Sequence, residues 1–257
     1  MYNYIVFCSH GGLGNQLFQV LYVRLYAYKY NIDKIYFSHN KNYKRLADYE
    51  LEFLKDIKPA KFIDRFLLKF RIPKILERIN LSKSGKIVLI NKHILDNYFQ
   101  DKSFYLEFDK NEILRQISIL KTELFSNFNE KEYKNYNKLN LYHFRLGDFF
   151  LSESDQINFI NNNIEKIPDN TVVISNRDDL FSTNYFHKNN IIYLQTSVFS
   201  SMQMLLLCSQ FKNIISNGST LAFWGSVLGN SSFQVNNIKD NDVINLIKLN
   251  DIFKINN

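Results

Sequence analysis

Hydrophobic and polar positions along the chain change period several times, and each change predicts an element. Tyr4 to Cys8 is a short run of β-formers, followed at once by the glycine turn HGGLGN. From Gln16 to Tyr30 the apolar residues Leu17, Val20, Leu21, Leu25 and Tyr28 then recur at helical spacing. The opening therefore reads as strand, glycine turn, helix. Ile35 to Phe37 fits a second strand, Lys86 to Ile90 another, and Asn111 to Phe128 a helix. Further on, strands at Asn140 to Phe144, Thr171 to Ser175, Asn190 to Leu194 and Asn213 to Ser216 alternate with helical runs at Phe199 to Cys208 and from Thr220 onward. Such alternation predicts α/β units with mostly parallel sheets, whose ligands bind beyond the carboxyl ends of strands.

Two stretches break the pattern. Residues 129–140, NEKEYKNYNKLN, are polar without strong periodicity and suit a linker. They predict an N-terminal lobe at 1–138 and a C-terminal lobe at 139–257. Residues 60–80, AKFIDRFLLKFRIPKILERIN, form a basic amphipathic stretch broken by Pro73. It reads either as a surface helix over a core or as a contact with a membrane face or lipid-linked molecule.

Composition narrows the classes. Hydrophobic residues make up 46% and charged residues 22%, the balance of a globular protein. The net charge of +7 suits nucleic acid, anionic lipid or a phosphorylated small molecule. Its basic residues are spread along the chain without an arginine-rich block, which argues against nucleic acid. Cys8 and Cys208 lie far apart in apolar segments and read as buried free thiols of a reducing compartment. The first residues read as a strand rather than a signal peptide, and no apolar run approaches the roughly 20 residues needed to span a bilayer. A cytoplasmic protein, resting at most on a membrane surface, is expected.

Three motifs at predicted strand ends could carry chemistry. The first is His10-Gly-Gly-Leu-Gly-Asn-Gln16. Its glycines permit close approach of a ligand to the backbone at a helix N-terminus, or simply make a tight turn. It is neither the dinucleotide fingerprint nor a Walker loop, because Leu17 stands where a glycine is needed and no Gly-Lys-Ser/Thr follows. The second is His143-Phe-Arg-Leu-Gly-Asp148. Alternation along the strand puts His143 and Arg145 on one face, where a guanidinium suits a phosphate, and Asp148 lies within reach to orient either or act as a base. The third is Ser216-Asn-Gly-Ser-Thr-Leu-Ala-Phe-Trp-Gly225, in which Ser219 or Thr220 caps a helix, holds a phosphate or ribose, or does both. Trp224 reads as core. Asp178-Asp179 fits a cation or base-edge site less well than a solvated loop, and Asp240 and Asp242 fit a loop. The Gly-x-Ser-x-Gly elbow and the His-Glu-x-x-His motif of hydrolases do not occur.

GGLGNQLFQ near the start, HFRLGD in the middle and STLAFWG near the end, in that order, resemble the bacterial α-1,2-fucosyltransferases of glycosyltransferase family 11. Asp96-Asn-Tyr-Phe-Gln100 followed by Lys102-Ser-Phe-Tyr105 is similar to a further piece of that family. The resemblance implies a GT-B-like α/β fold of two Rossmann-type lobes with a cleft between them. It also implies a GDP-fucose donor, inversion at the sugar carbon, no metal and no cofactor. The acceptor side and glycine-rich loop would lie in the N-terminal lobe and the donor site in the C-terminal one. Carried over, Arg145 with His143 beside it would meet the donor pyrophosphate. Gly12, Gly14, Asn15, Ser175, Ser219 and Thr220 would complete the donor contacts. Arg145, His143 and Asp148 would be the catalytic group, with the base Asp148, or His143, or none in a loose transition state.

The chain departs from the family at several places. Leu146 follows Arg145 where a second arginine is usual, Ser175-Asn-Arg-Asp178 replaces Ser-Asp-Asp, Leu221-Ala-Phe-Trp224 lacks a hydroxyl, and Asn97 replaces a glycine. The expected activity is transfer of L-fucose from GDP-fucose to a hydroxyl, the 2-OH of galactose, on a glycan that a basic stretch at 60–80 would suit if lipid-linked. The alternatives are another GDP-sugar or linkage, and a non-catalytic nucleotide or nucleic-acid binding module.

Overall fold

The computed structural model describes residues 4–9, 11–39, 54, 56–60, 86–89, 92–95, 97–126, 136–146, 150, 152–181, 191–236 and 241–254. The basic stretch is outside these from residue 61 onward, as are the first part of the expected linker, His10, Asp148 and Asp240. The chain forms two compact units, Met1–Ser126 and Asn127–Asn257.

In the first unit, β1 (Tyr4–Ser9) leads through the glycine turn into α1 (Leu13–Lys29) and then β2 (Lys34–His39). Short strands β3 (Ile57–Pro59), β4 (Lys86–Leu89) and β5 (Lys92–Leu95) follow, then α2 (Lys110–Phe125). The sheet runs β3-β2-β1-β5-β4 and is parallel except for the β4–β5 pair. β1 is central, and its continuous apolar sequence is what a strand covered on both faces requires. α1 is buried nearly all round, as a core helix. Its one buried guanidinium, Arg24, is held by Asp56 at 2.6 Å and by Glu123 of α2 at 2.7 Å. Tyr22 stacks on Phe99 at 4.0 Å. α2 begins at Asp109, whose carboxylate accepts from the N–H groups of Asn111 and Glu112.

The second unit is a doubly wound half. β6 (Asn140–Phe144), α3 (Glu153–Ile164), β7 (Thr171–Ser175) and β8 (Ile192–Tyr193) are followed by α4 (Ser201–Cys208), β9 (Asn213–Ser216), α5 (Thr220–Gly229), β10 (Ser232–Val235) and α6 (Asn241–Phe253). The sheet order is β10-β9-β6-β7-β8, every pair parallel. Counted from β6, this is the 3-2-1-4-5 order of a nucleotide-binding half, with the order reversing between β6 and β9. Tyr142, Phe144 and Leu146 pack with Ile160 of α3, Val173 of β7 and Phe181. On α5, Trp224 and Phe223 are fully buried, and Trp224 packs against Phe253 of α6 with ring centroids 5.7 Å apart. Trp224 is thus core, as read. α5 also lies so close to α4 that a Cβ on Gly225 would collide with Cys208.

Most predicted elements stand within a few residues of their expected bounds. The strand expected at 190–194 is a two-residue edge strand, Ile192–Tyr193. The helices α3 and α6 and the strands β3, β5 and β10 carry no expectation from the apolar pattern.

Candidate functional site

The two strands beside β6 end alike. β7 closes on Ser175-Asn176, with Ser175 paired opposite Phe144, and β9 closes on Ser216-Asn217, with Ser216 opposite His143. Each serine is buried and turns its hydroxyl oxygen back to its own loop: Ser175 Oγ accepts from Arg177 N at 3.0 Å, Ser216 Oγ from Ser219 N at 3.1 Å. Each asparagine reaches across to the chain leaving β6. Asn217 Oδ1 accepts from Arg145 N and its Nδ2 donates to Arg145 O, both at 2.7 Å. Asn176 does the same for Leu146, at 2.7 Å and 3.0 Å.

In a parallel sheet, consecutive residues bond to opposite neighbours, each with both its N–H and its C=O. The two amides therefore continue the ladder for two residues after the neighbouring backbones have turned away. Without them, four main-chain groups would need new partners, at about 1–3 kcal/mol for each one left buried and unpaired.

At this switch point sit the predicted residues. Arg145 is half-buried. Asn217 is two residues before Ser219, so its bonds hold the Arg145 backbone against the turn that starts α5. Gly218 in that turn has φ +107°, a value that glycine adopts without strain. Ser219 is buried and caps α5 by accepting from Ala222 N at 3.2 Å; Thr220 is half-buried, and the first turn of α5 contains no acidic residue. A helix N-terminus without acidic residues beside an arginine favours an anion.

His143 is 7% exposed, and its Nδ1 has no hydrogen-bond partner among the described residues. Burial, and then the charge of Arg145, push its pKa down to about 3. The imidazole is therefore neutral at physiological pH. It offers hydrogen bonding and not charge, and it is a poor proton acceptor. Ser175 is buried, and its carbonyl accepts from the Thr196 hydroxyl.

Asp178, two residues beyond Asn176, is an internal anchor. Tyr193 OH, Thr196 N and Ser197 N all donate to its carboxylate. Burial alone would raise its pKa, but these donors hold it below the usual carboxylate range. Asp179 pairs with Arg177 at 2.7 Å. The acid pair thus organises its own loop.

The first unit has a second switch point, between β1 and β5. Gly11 has φ +80°, and a Cβ there would collide with Asn15. Gly12 begins α1 without a side-chain cap, and Asn15 N and Gln16 N both bond to its carbonyl at 2.9 and 3.1 Å. Gly14 is buried and Asn15 half-buried. Asn15 Oδ1 accepts from Gln100 Nε2 at 2.9 Å. The preceding Phe99 is fully buried at φ +54°, a strained value for an aromatic residue, with its N–H given to Asn97 Oδ1. Ser9 is buried at the end of β1, its hydroxyl unpartnered among the described residues.

Of the predicted residues, the second unit brings His143, Arg145, Ser175, Ser219 and Thr220 to the carboxyl edge of one sheet. The first unit brings Gly12, Gly14 and Asn15 to the other. The apolar and charge patterns missed Asn217 and Asn176 as parts of a site. Their signal was the Ser-Asn pair repeated at two predicted strand ends.

No protein-family model and no curated protein matches the chain. Among solved structures, it is similar to an arginine-to-lysine mutant of Arabidopsis thaliana FUT1 in complex with GDP, at 12% identity over 94% of this chain and 72% of that one, with a TM-score of 0.53. A second similar structure is NodZ alpha-1,6-fucosyltransferase co-crystallised with GDP, at 11% identity over 89% of this chain and 93% of that one, TM-score 0.49. At such identity the first likeness establishes a shared fold: the GT-B-like α/β fold, as expected from the motifs.

Proposed function

We propose that the chain is a glycosyltransferase that moves a sugar from a nucleotide diphosphate donor, GDP-fucose, to a glycan hydroxyl. The observation that carries the reading is Arg145. It stands at the switch point of an all-parallel 3-2-1-4-5 sheet, its backbone pinned on the β9 side, next to a helix N-terminus free of acidic residues. This is where such sheets receive a diphosphate. The similar FUT1 structure is a complex with GDP, which supports guanine nucleotide as the donor's carrier. Family-11-like motifs support fucose and the 2-OH of galactose.

In the reaction the acceptor oxygen attacks the anomeric carbon from the face opposite the leaving group. The bond from that carbon to the diphosphate breaks, the configuration inverts, and the acceptor proton passes to a base. Negative charge gathers on the departing diphosphate. Arg145 and the α5 N-terminus meet that charge without rearrangement, which is the condition for electrostatic catalysis. His143, held neutral, serves as a hydrogen-bonding wall. Of the two candidate bases, Asp148 is the one proposed to take the proton, since His143 is given the wall. Gly12, Gly14 and Asn15 are assigned to the donor as well, Ser175, Ser219 and Thr220 support the phosphate turn, and the N-terminal unit takes the acceptor glycan. No metal is assigned a step.

The test is turnover of GDP-fucose with lactose or another simple galactoside, with and without EDTA. The expected result is an α-1,2-linked product formed equally in both. Arg145→Ala should lower kcat by about 10²–10³ while the protein stays folded. Near-wild-type activity of that variant would overturn the role given to Arg145. Transfer from a different GDP-sugar, or to another position, would correct the donor or linkage and keep the chemistry.

A further inference from the structure

Residues 145 and 146 lie beyond the last backbone rung of the sheet, yet their main chain is held as firmly as a strand. The two surrogates come from opposite sides and from the same dipeptide, Ser-Asn, at the ends of β7 and β9. Their amide ends are dictated by their partners, since an N–H can only donate and a carbonyl can only accept. Leu146 adds a third fixing point, its side chain fully buried among Tyr142, Phe144 and Phe181. The result is an arginine whose backbone is held from the β9 side, and whose neighbour Leu146 is held from the β7 side and by the core, while Arg145 itself stays half-buried.

We infer that Asn217 and Asn176 are positioning residues that act through Arg145: they form a clamp that fixes the main chain from which the guanidinium reaches the donor diphosphate. The inference rests on the proposed nucleotide site. It explains why position 176 is an amide here. A carboxylate could accept from Leu146 N–H but could not donate to Leu146 C=O, and its charge would face that carbonyl. It also accounts for Leu146 in place of a second basic residue. With one arginine to carry the phosphate contact, that arginine is preset rather than duplicated.

GDP affinity of the full chain, measured by calorimetry, tests the clamp. Asn217→Asp should weaken GDP binding about tenfold or more at pH 8. A charged carboxylate opposite Arg145 C=O has a raised pKa, because its ionised form is disfavoured there. Its protonated form has a hydroxyl that can donate to that carbonyl, as the amide did. Affinity relative to wild type, both measured at the same pH, should therefore recover as pH is lowered toward 5.5.

In an Arg145→Ala background, Asn217→Asp should change GDP affinity by less than about twofold, because the residue through which it acts is gone. Asn176→Asp supplies the same series from the other side, should Asn217→Asp fail to fold. Wild-type affinity in both folded variants would overturn the clamp. So would an equal loss with and without Arg145, which is the mark of a general structural effect. If the wild-type chain itself does not bind GDP, the proposed function falls instead. If it binds GDP but the variants are indifferent, only the clamp falls.

Discussion

Arg145 and Leu146 are neighbours on one strand end with opposite fates, one half-exposed and the other sealed in the core. Alternation along an extended chain makes that division unavoidable. It places Tyr142, Phe144 and Leu146 on the packed face and His143 and Arg145 on the other. This much was legible from the spacing of HFRLGD. The protonation of His143 was not, because its burial depends on neighbours distant in sequence. That burial makes a prediction about stability. A histidine kept neutral in the fold takes up a proton more readily when unfolded. Its contribution is complete above about pH 6.5 and is lost as pH falls toward about 3. His93, whose pKa burial also lowers, acts in the same direction. Thermal melting of His143→Gln and wild type, compared from pH 7.5 to 5, should show a stability difference that shrinks as pH falls. A difference that stays constant would mean that His143 is not held neutral.

Elements were readable in proportion to the strength of their apolar period. The strands β6, β7 and β9 are short buried runs bounded by polar residues and were placed to the residue. α3 has a strongly polar sequence, ESDQINFINNNI, with few buried positions, and its clearest signal is the cap in which Ser152 accepts from Asp155 N. β3, β5 and β10 have only three or four residues, too few for a period to show. Their assignment comes from pairing, a long-range fact. The α4–α5 contact is another such fact. Both helices are apolar, but only the fold reveals that Gly225 is where Cys208 passes, and Gly229 where the carbonyl of Ser209 does. Gly225→Ala would ordinarily favour a helix by roughly 1 kcal/mol. Here the added methyl has no room, so overpacking should dominate and destabilise the protein by about 1–3 kcal/mol. Chemical denaturation would read this directly, and a stabilised variant would show that the two helices can separate without loss.

At the scale of the whole molecule, the chain consists of two α/β units, each with its own sheet and its own switch point, and the two carry different kinds of polar group. The second presents a pinned arginine and a helix start free of acidic residues. The first presents a glycine loop whose Asn15 amide is fixed by Gln100, which follows a strained Phe99. Backbone strain of about 1–3 kcal/mol is retained only where surrounding contacts enforce it. Here the Tyr22 stack, the Tyr105 hydroxyl on Phe99 O at 3.0 Å and Asn97 do so. Strand–helix alternation and the polar stretch at 129–140 predicted two such units, but sequence spacing could not give the strand order or the place where it reverses.

The proposed site for the nucleotide diphosphate is in the second unit, and that proposal can be checked without any turnover. A ligand that binds only the folded protein at 100 times its Kd adds about 2.7 kcal/mol to stability. Within the bound unit, that protection should concentrate on the amides the ligand immobilises. Hydrogen exchange with saturating GDP should slow first at residues 144–146, 175–177 and 217–222. The helix α2 and the strand β2 of the first unit, to which no ligand contact is assigned, should be unaffected. Protection confined to the glycine loop and α1 would move the diphosphate to the first unit and leave Arg145 without the role assigned to it.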